Sequence, residues 1–492
     1  MVKVRLWWFV ARSLWLLFFC FPAFAATFTC EISSIVPADR ACKIRCVVAD
    51  LPATGKVELR FLDRFAGIER LSERIIGLQI KDVAGQRIMP EMRGQGSYHL
   101  ATATNAPLAI EYELRLAPVA GASVDPGRYA LTSSLGAQAG FLLLADALPE
   151  VCQDGCAAPT VHLRFQLPGD WQVVAAEQEQ AGMFAVTDMH RAVFFFGKLQ
   201  TQTMQVGAMK LQFAVAGETR WPVAEIASVV ESIARQQAAF MASREAGNYL
   251  VTLAPFPVPL TGLRSAALTR GHSIVMMLNP EADAARTQAL YQKHLAHEMF
   301  HFYLPEAMQP RENFDWFWEG FTRYIALLTL RELRLLSPRA YLDELGLEFA
   351  GYKANVWHGQ VSLLAASQNR FANASSYDLL YRKGTFVAAL YDWELRWQSE
   401  GKHTVPDVLR ELYGKYRQHE LGTAEVLAAL KAAGKFDAFV QDYLAGTREI
   451  ELAEVVKKYG LTVDTVAGRL RLNVAQKLSR QQQALWLTLG QE

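Results

Sequence analysis

The apolar residues of this 492-residue chain change rhythm near Trp221-Pro222, and no single packing layer accommodates both halves. From about residue 27 to 215 the pattern has period two, as in Lys56-Val-Glu-Leu-Arg-Phe-Leu and Leu108-Ala-Ile-Glu-Tyr-Glu-Leu-Arg-Leu. Such alternation predicts strands with one buried face. Gly and Pro punctuate at Pro52, Gly55, Pro126-Gly127 and Pro168-Gly169, which makes this half all-β. Beyond the switch, residues 223 to 244 fit an amphipathic helix, and Tyr249-Leu-Val-Thr-Leu and Ser273-Ile-Val-Met-Met-Leu read as strands. Three- and four-residue apolar spacing then continues to about residue 458. The closing stretches Arg469-Leu-Arg-Leu-Asn-Val and Ala484-Leu-Trp-Leu-Thr-Leu alternate again and predict a small hairpin. The expectation is a multidomain α+β chain, since its length exceeds one compact core.

The first 25 residues read as a secretory signal. Lys3, Arg5 and Arg12 precede an apolar run and then Pro22-Ala-Phe-Ala25, a small-x-small cleavage site. Arg12 cuts the apolar stretch short of a spanning helix, so no stable membrane span is expected after cleavage, and the mature chain is periplasmic or secreted. Removing those three cations takes the formal charge from +1 to −2. With no basic tract to neutralise phosphates, nucleic acid is not an expected partner. Five cysteines remain, and export permits disulfides. Cys152 and Cys156 bracket the turn-forming Gln-Asp-Gly and predict a local bridge; Cys30 is expected to pair with Cys42 or Cys46, leaving one thiol over.

His297-Glu298-Met299-Phe300-His301 falls in a run, Arg286 to Tyr303, that contains neither proline nor glycine. On a helix, histidines at i and i+4 share a face and can reach one metal ion, while Glu298 is rotated by about 100° and stands beside the open coordination position. Catalytic zinc takes three protein ligands and leaves a fourth position open. Glu319 is the natural third ligand: it lies in Trp316-Phe-Trp-Glu-Gly-Phe-Thr-Arg-Tyr324, after a connection long enough for a turn and a helix return. One Zn²⁺ per chain is therefore expected, on His297, His301 and Glu319, with Glu298 as catalytic base. His294, one turn earlier, fits a surface or a supporting role better than ligation.

His-Glu-x-x-His followed by Trp-x-Glu-Gly-Phe-Thr-x-Tyr resembles the gluzincin metallopeptidases, and most of all the glycyl aminopeptidase family, whose relatives are the alanyl aminopeptidases and leukotriene A4 hydrolase. Leu167-Pro-Gly-Asp-Trp171 is similar to the family's Pro-x-Gly-Trp turn, Tyr381-Arg-Lys-Gly384 to its Tyr-x-Lys-Gly motif, and Ala445-Gly-Thr-Arg-Glu-Ile-Glu-Leu452 to the segment closing its helical region. The likeness spans roughly residues 160 to 460. It implies a β-rich region at 26–215, a thermolysin-like zinc catalytic domain at 216–400, a helical C-terminal region at 401–458 and a short β tail at 459–492. It also implies that Tyr381 donates its hydroxyl to the oxyanion of a tetrahedral intermediate.

Two departures carry consequences. After residue 458 too few residues remain for the PDZ domain that usually ends the family. Where the family's substrate loop has a Gly-Leu-Glu motif that holds a free amino terminus, this chain has Gly262-Leu-Arg264, and the alternative alignment on Thr269-Arg270-Gly-His272-Ser273 also lacks a carboxylate. Gly262, Arg264 and Arg270 are thus the expected substrate-binding positions, in a peptidase of peptide or protein substrates that does not demand a free amino terminus. A catalytically idle zinc-fold scaffold and a non-peptide hydrolase are the rival readings. Glu298 counts against the scaffold, because a purely structural site has no use for a carboxylate beside an open position.

Overall fold

The computed structural model describes residues 27–490 apart from 52–55, 102–105, 118–125, 153–159, 218–221, 280–282, 369 and 371–373. The predicted signal and Cys156 lie outside the described residues.

Alternation in the first half produces strands of one buried face. In Ala41–Ala49, Cys42, Ile44, Cys46 and Val48 point inward and the intervening residues outward. This strand pairs antiparallel with Thr27–Val36 and with Leu108–Arg115 in an eight-stranded sheet, while Val161–Phe165 runs parallel beside Thr27–Val36. Two four-stranded sheets contribute Leu59, Leu100, Leu142, Phe194 and Phe196 to the same buried core. Cys30 stands opposite Cys46 in the register, their Cα atoms 4.1 Å apart, and the two are bridged. Cys42 has no such neighbour, because the register shifts between Ser33 and Val36 where its counterpart would be. It is therefore the thiol left over; burial first and Glu113 second push it up to about 12, which keeps it protonated. Cys152 is disulfide-bonded.

A five-stranded mixed sheet carries the second half, in the order Leu199–Val206, Ala208–Ala216, Ala246–Leu253, Ser273–Asn279, Arg264–Arg270. It draws on strands before the rhythm change, so the sheet begins earlier than periodicity suggests. Ser273–Asn279 is buried along almost its whole length, as a central strand covered on both faces must be. Arg264–Arg270 is its antiparallel partner and the sheet's edge. Val223–Met241 covers one face with Ile226, Val230, Ile233 and Ala234.

Helices then follow one another: Ala284–Phe300, Asp315–Glu332, Pro338–Ala354 and Ala374–Gln398. The second and last of these touch at two glycines. A Cβ on Gly320 would lie 2.6 Å from backbone atoms of Gly384, and one on Gly384 2.9 Å from Gly320 Cα. Only glycine at both points permits this approach. Since Glu319 adjoins one and Tyr381 lies three residues before the other, the crossing fixes where both side chains emerge.

The tail needs a correction. The hairpin exists, but it joins Leu461–Val466 to Arg469–Val474, and 484–488 is helical instead of the hairpin's second strand. Ser479 and Gln482 form a capping box that starts the helix Arg480–Thr488, and Trp486 Nε1 donates to Tyr459 O at 2.7 Å. A six-residue alternation carries too little periodicity to exclude a helix. Among the described residues no helix is long and apolar enough to cross a membrane.

Candidate metal centre

The helix Ala284–Phe300 begins at Asp283, whose carboxylate accepts from Arg286 N, and ends at the predicted motif. His297 and His301 present their Nε2 atoms to each other at 3.1 Å. Glu319 Oε2 approaches from Asp315–Glu332, 3.2 Å from His297 Nε2 and 3.6 Å from His301 Nε2. All three residues are buried. A tetrahedral zinc with bonds of about 2.0–2.1 Å holds its ligand atoms about 3.3–3.4 Å apart, and the observed triangle brackets that spacing. The donor chemistry fits as well. His301 Nδ1 lies 2.8 Å from Leu304 O, so in the neutral ring Nδ1 carries the hydrogen and Nε2 presents a lone pair. Glu319 Oε2 is buried with no hydrogen-bond partner among the described residues. Lone pairs converging this closely in a buried site repel unless a cation lies between them.

Glu319 stays ionised although burial pushes its carboxyl up, because Arg370 first and then the two imidazoles pull it well below the usual carboxylate range. Its other oxygen, Oε1, meets Arg370 Nη2 at 2.8 Å. Glu298 projects differently from the ligands: Thr269 Oγ1 lies 2.7 Å from its Oε2 and 2.8 Å from its backbone O. The edge strand thus holds the expected base. His294 lies 3.0 Å from Ser265 Oγ on the same strand; burial first, then Arg323, pushes its ring down to about 3, so it is neutral. Its burial sets aside the other expectation, a surface position.

Tyr381, on Ala374–Gln398, has its ring 5.9 Å from that of His297 and packs tilted against Tyr377 at 4.6 Å. Burial holds the phenol well above its ordinary range, so it remains a donor. Arg323, one turn after Glu319, bonds Glu348 and lies 5.8 Å from the Tyr381 ring. Of the expected substrate positions, Gly262 and Arg264 are exposed at the start of the edge strand, where Arg264 Nη1 donates to Leu263 O at 3.1 Å. Arg270 lies at the strand's far end against the N-terminal half, its guanidinium 4.3 Å over the Phe65 ring. Sequence reasoning passed over Arg370 and the part played by Thr269; neither falls in a spacing pattern that points to a metal.

No protein-family model matches the chain, and no curated protein matches it in sequence. Solved structures do resemble it. An aminopeptidase N family protein from Idiomarina loihiensis superposes with a TM-score of 0.76 at 17% identity, over 92% of this chain and 82% of that one. The M1 zinc metallopeptidase of Deinococcus radiodurans gives 0.53 at 16%, over 87% and 94%; a mutant of it bound to a Tyr-Ser-Ala substrate gives 0.53 at 14%. The chain therefore shares the fold of these aminopeptidase N family and M1 metallopeptidase structures: a β-rich N-terminal region, a sheet-containing middle region and a helical C-terminal region.

Proposed function

We propose that this chain is an exported zinc metallopeptidase that binds one Zn²⁺ through His297, His301 and Glu319 and hydrolyses peptide bonds. The observation that carries the reading is the buried triangle of 3.1, 3.2 and 3.6 Å among the three ligand atoms, with Glu298 beside it on the same helix. Zinc, when bound there, supplies Lewis-acid polarisation of a carbonyl and acidification of a water. The chain's own residues do the rest. Glu298, steadied by Thr269, takes the proton of the attacking water and returns it to the leaving amine. Tyr381 donates its hydroxyl to the oxyanion. The Cys30–Cys46 bridge suits an oxidising compartment and so supports export.

A peptide is the substrate class, in keeping with the tripeptide bound in the Deinococcus neighbour. Arg264 stands where an amine-holding carboxylate would be expected, and two other carboxylates, Asp315 and Glu348, are each committed to an arginine. Substrates with a blocked amino terminus are accordingly accepted, with the exposed turn at Gly262 and Arg264 on the substrate path. Arg270, expected beside them, lies against Phe65, and its contribution is to hold the strand's far end. The test is a peptide-library assay with and without chelator, alongside Glu298→Gln. Chelator-sensitive cleavage that Glu298→Gln abolishes supports the reading; zinc binding with no peptide cleaved would favour the scaffold or a non-peptide hydrolase.

A further inference from the structure

Arg370 bonds both Glu319, the proposed acidic ligand, and Tyr381, the proposed oxyanion donor. Its Nη2 lies 2.8 Å from Glu319 Oε1 and 3.3 Å from Tyr381 Oη, and its Nη1 lies 2.6 Å from Asp315 Oδ1. Its plane faces the Tyr377 ring at 5.6 Å, and its side chain is only 18% exposed. Asp315, itself buried, also accepts from Trp318 Nε1, so the guanidinium is anchored at the helix start.

We propose that Arg370 is a positioning residue that couples the metal ligand to the oxyanion donor. Two physical consequences follow from its fork. By occupying Glu319 Oε1 it leaves only Oε2 for an ion, which enforces ligation through one oxygen. By donating to the Tyr381 oxygen it obliges the phenol's own hydrogen to point elsewhere, toward Tyr377, from which a substrate oxygen would take it over. A cation here also balances the site: with Zn²⁺ bound, the charges of zinc and Arg370 equal those of Asp315, Glu298 and Glu319. Lysine would substitute only in part, because a single ammonium can meet Glu319 but lacks the planar fork that reaches several partners at once.

This inference rests on the proposed zinc site, and the test separates the two. Zinc affinity is measured by competition with a chromogenic chelator for wild type, Arg370→Met and Arg370→Lys, and kcat/KM is measured for these and for Tyr381→Phe and the double variant Arg370→Met/Tyr381→Phe. The expected result is that Arg370→Met binds zinc about tenfold more weakly and loses roughly ten- to a hundredfold in kcat/KM, but less than about threefold when Tyr381 is already Phe. Arg370→Lys should recover most of the zinc affinity while remaining slow, and it carries the test if Arg370→Met does not fold. Wild-type zinc affinity in Arg370→Met, or losses that simply add in the double variant, would overturn the proposal. If wild type cleaves no peptide, the proposed function fails, and the zinc competition alone decides whether Arg370 holds Glu319.

Discussion

The hydroxyl of Thr269 lies 2.7 Å from Glu298 Oε2 and 2.8 Å from Glu298 O, so the last turn of the sheet's edge strand is fastened to the residue expected to act as base. An edge strand is where an extended peptide can add main-chain hydrogen bonds. The same strand would then register the substrate and orient the base. Thr269→Val should lower kcat about tenfold with little change in KM, since a misdirected carboxylate costs the transition state more than the ground state. Thr269→Ser should restore most of the turnover. Steady-state kinetics decide it, and an unchanged kcat in the valine variant would show that Glu298 needs no such support.

The glycine crossing makes a stability prediction. Gly320→Ala inserts a methyl group 2.6 Å from the Gly384 backbone, and backbone cannot give way as a flexible side chain can. The expected cost is about 1–3 kcal/mol in chemical denaturation, with reduced zinc affinity because Glu319 moves with its helix. Gly414→Ala, on a helix with open space around the new methyl, is the control and should be neutral or slightly stabilising. Equal stability of the two variants would contradict the crossing argument.

Zinc binding should depend on pH in a definite direction. Burial pushes the His301 ring down, but the adjoining Glu319 carboxylate outweighs it and raises the ring to about 9, while burial lowers His297 and Glu319 stays ionised. Below that value a proton occupies the site and zinc must displace it. Affinity should therefore rise by roughly tenfold per pH unit from 7 to 9 and level off above. Chelator competition across this window checks the slope, and a flat profile would contradict it.

Substrate choice gives a fourth prediction. Holding a substrate ammonium near the metal takes a carboxylate placed to pair with it. Arg264 offers the wrong sign, so kcat/KM on a free and an acetylated peptide of the same sequence should differ by less than about tenfold. A preference of a hundredfold or more for the free amine, roughly 2.7 kcal/mol, would show that an amine-binding carboxylate exists.

Much of the architecture was legible in the sequence because its signals are local. Period-two alternation marked strands such as Leu108–Arg115, and the i, i+4 histidines marked one helical face. Convergence on a shared point is not local. Arg370 follows Asn369 in a connection without periodicity, yet it reaches two residues on different helices. Arg270 reads as a substrate cation by its place in the loop, but its guanidinium lies over Phe65, a residue far away in the chain. The choice of Cys46 over Cys42 depended on a register shift that composition does not encode.

The central claim is that His297, His301 and Glu319 hold one zinc ion, and elemental analysis of the purified chain after zinc loading and desalting tests it most directly. Wild type should carry close to one zinc per chain and His297→Ala, folded by circular dichroism, close to none. Full zinc occupancy in His297→Ala, or none in folded wild type, would contradict the assignment.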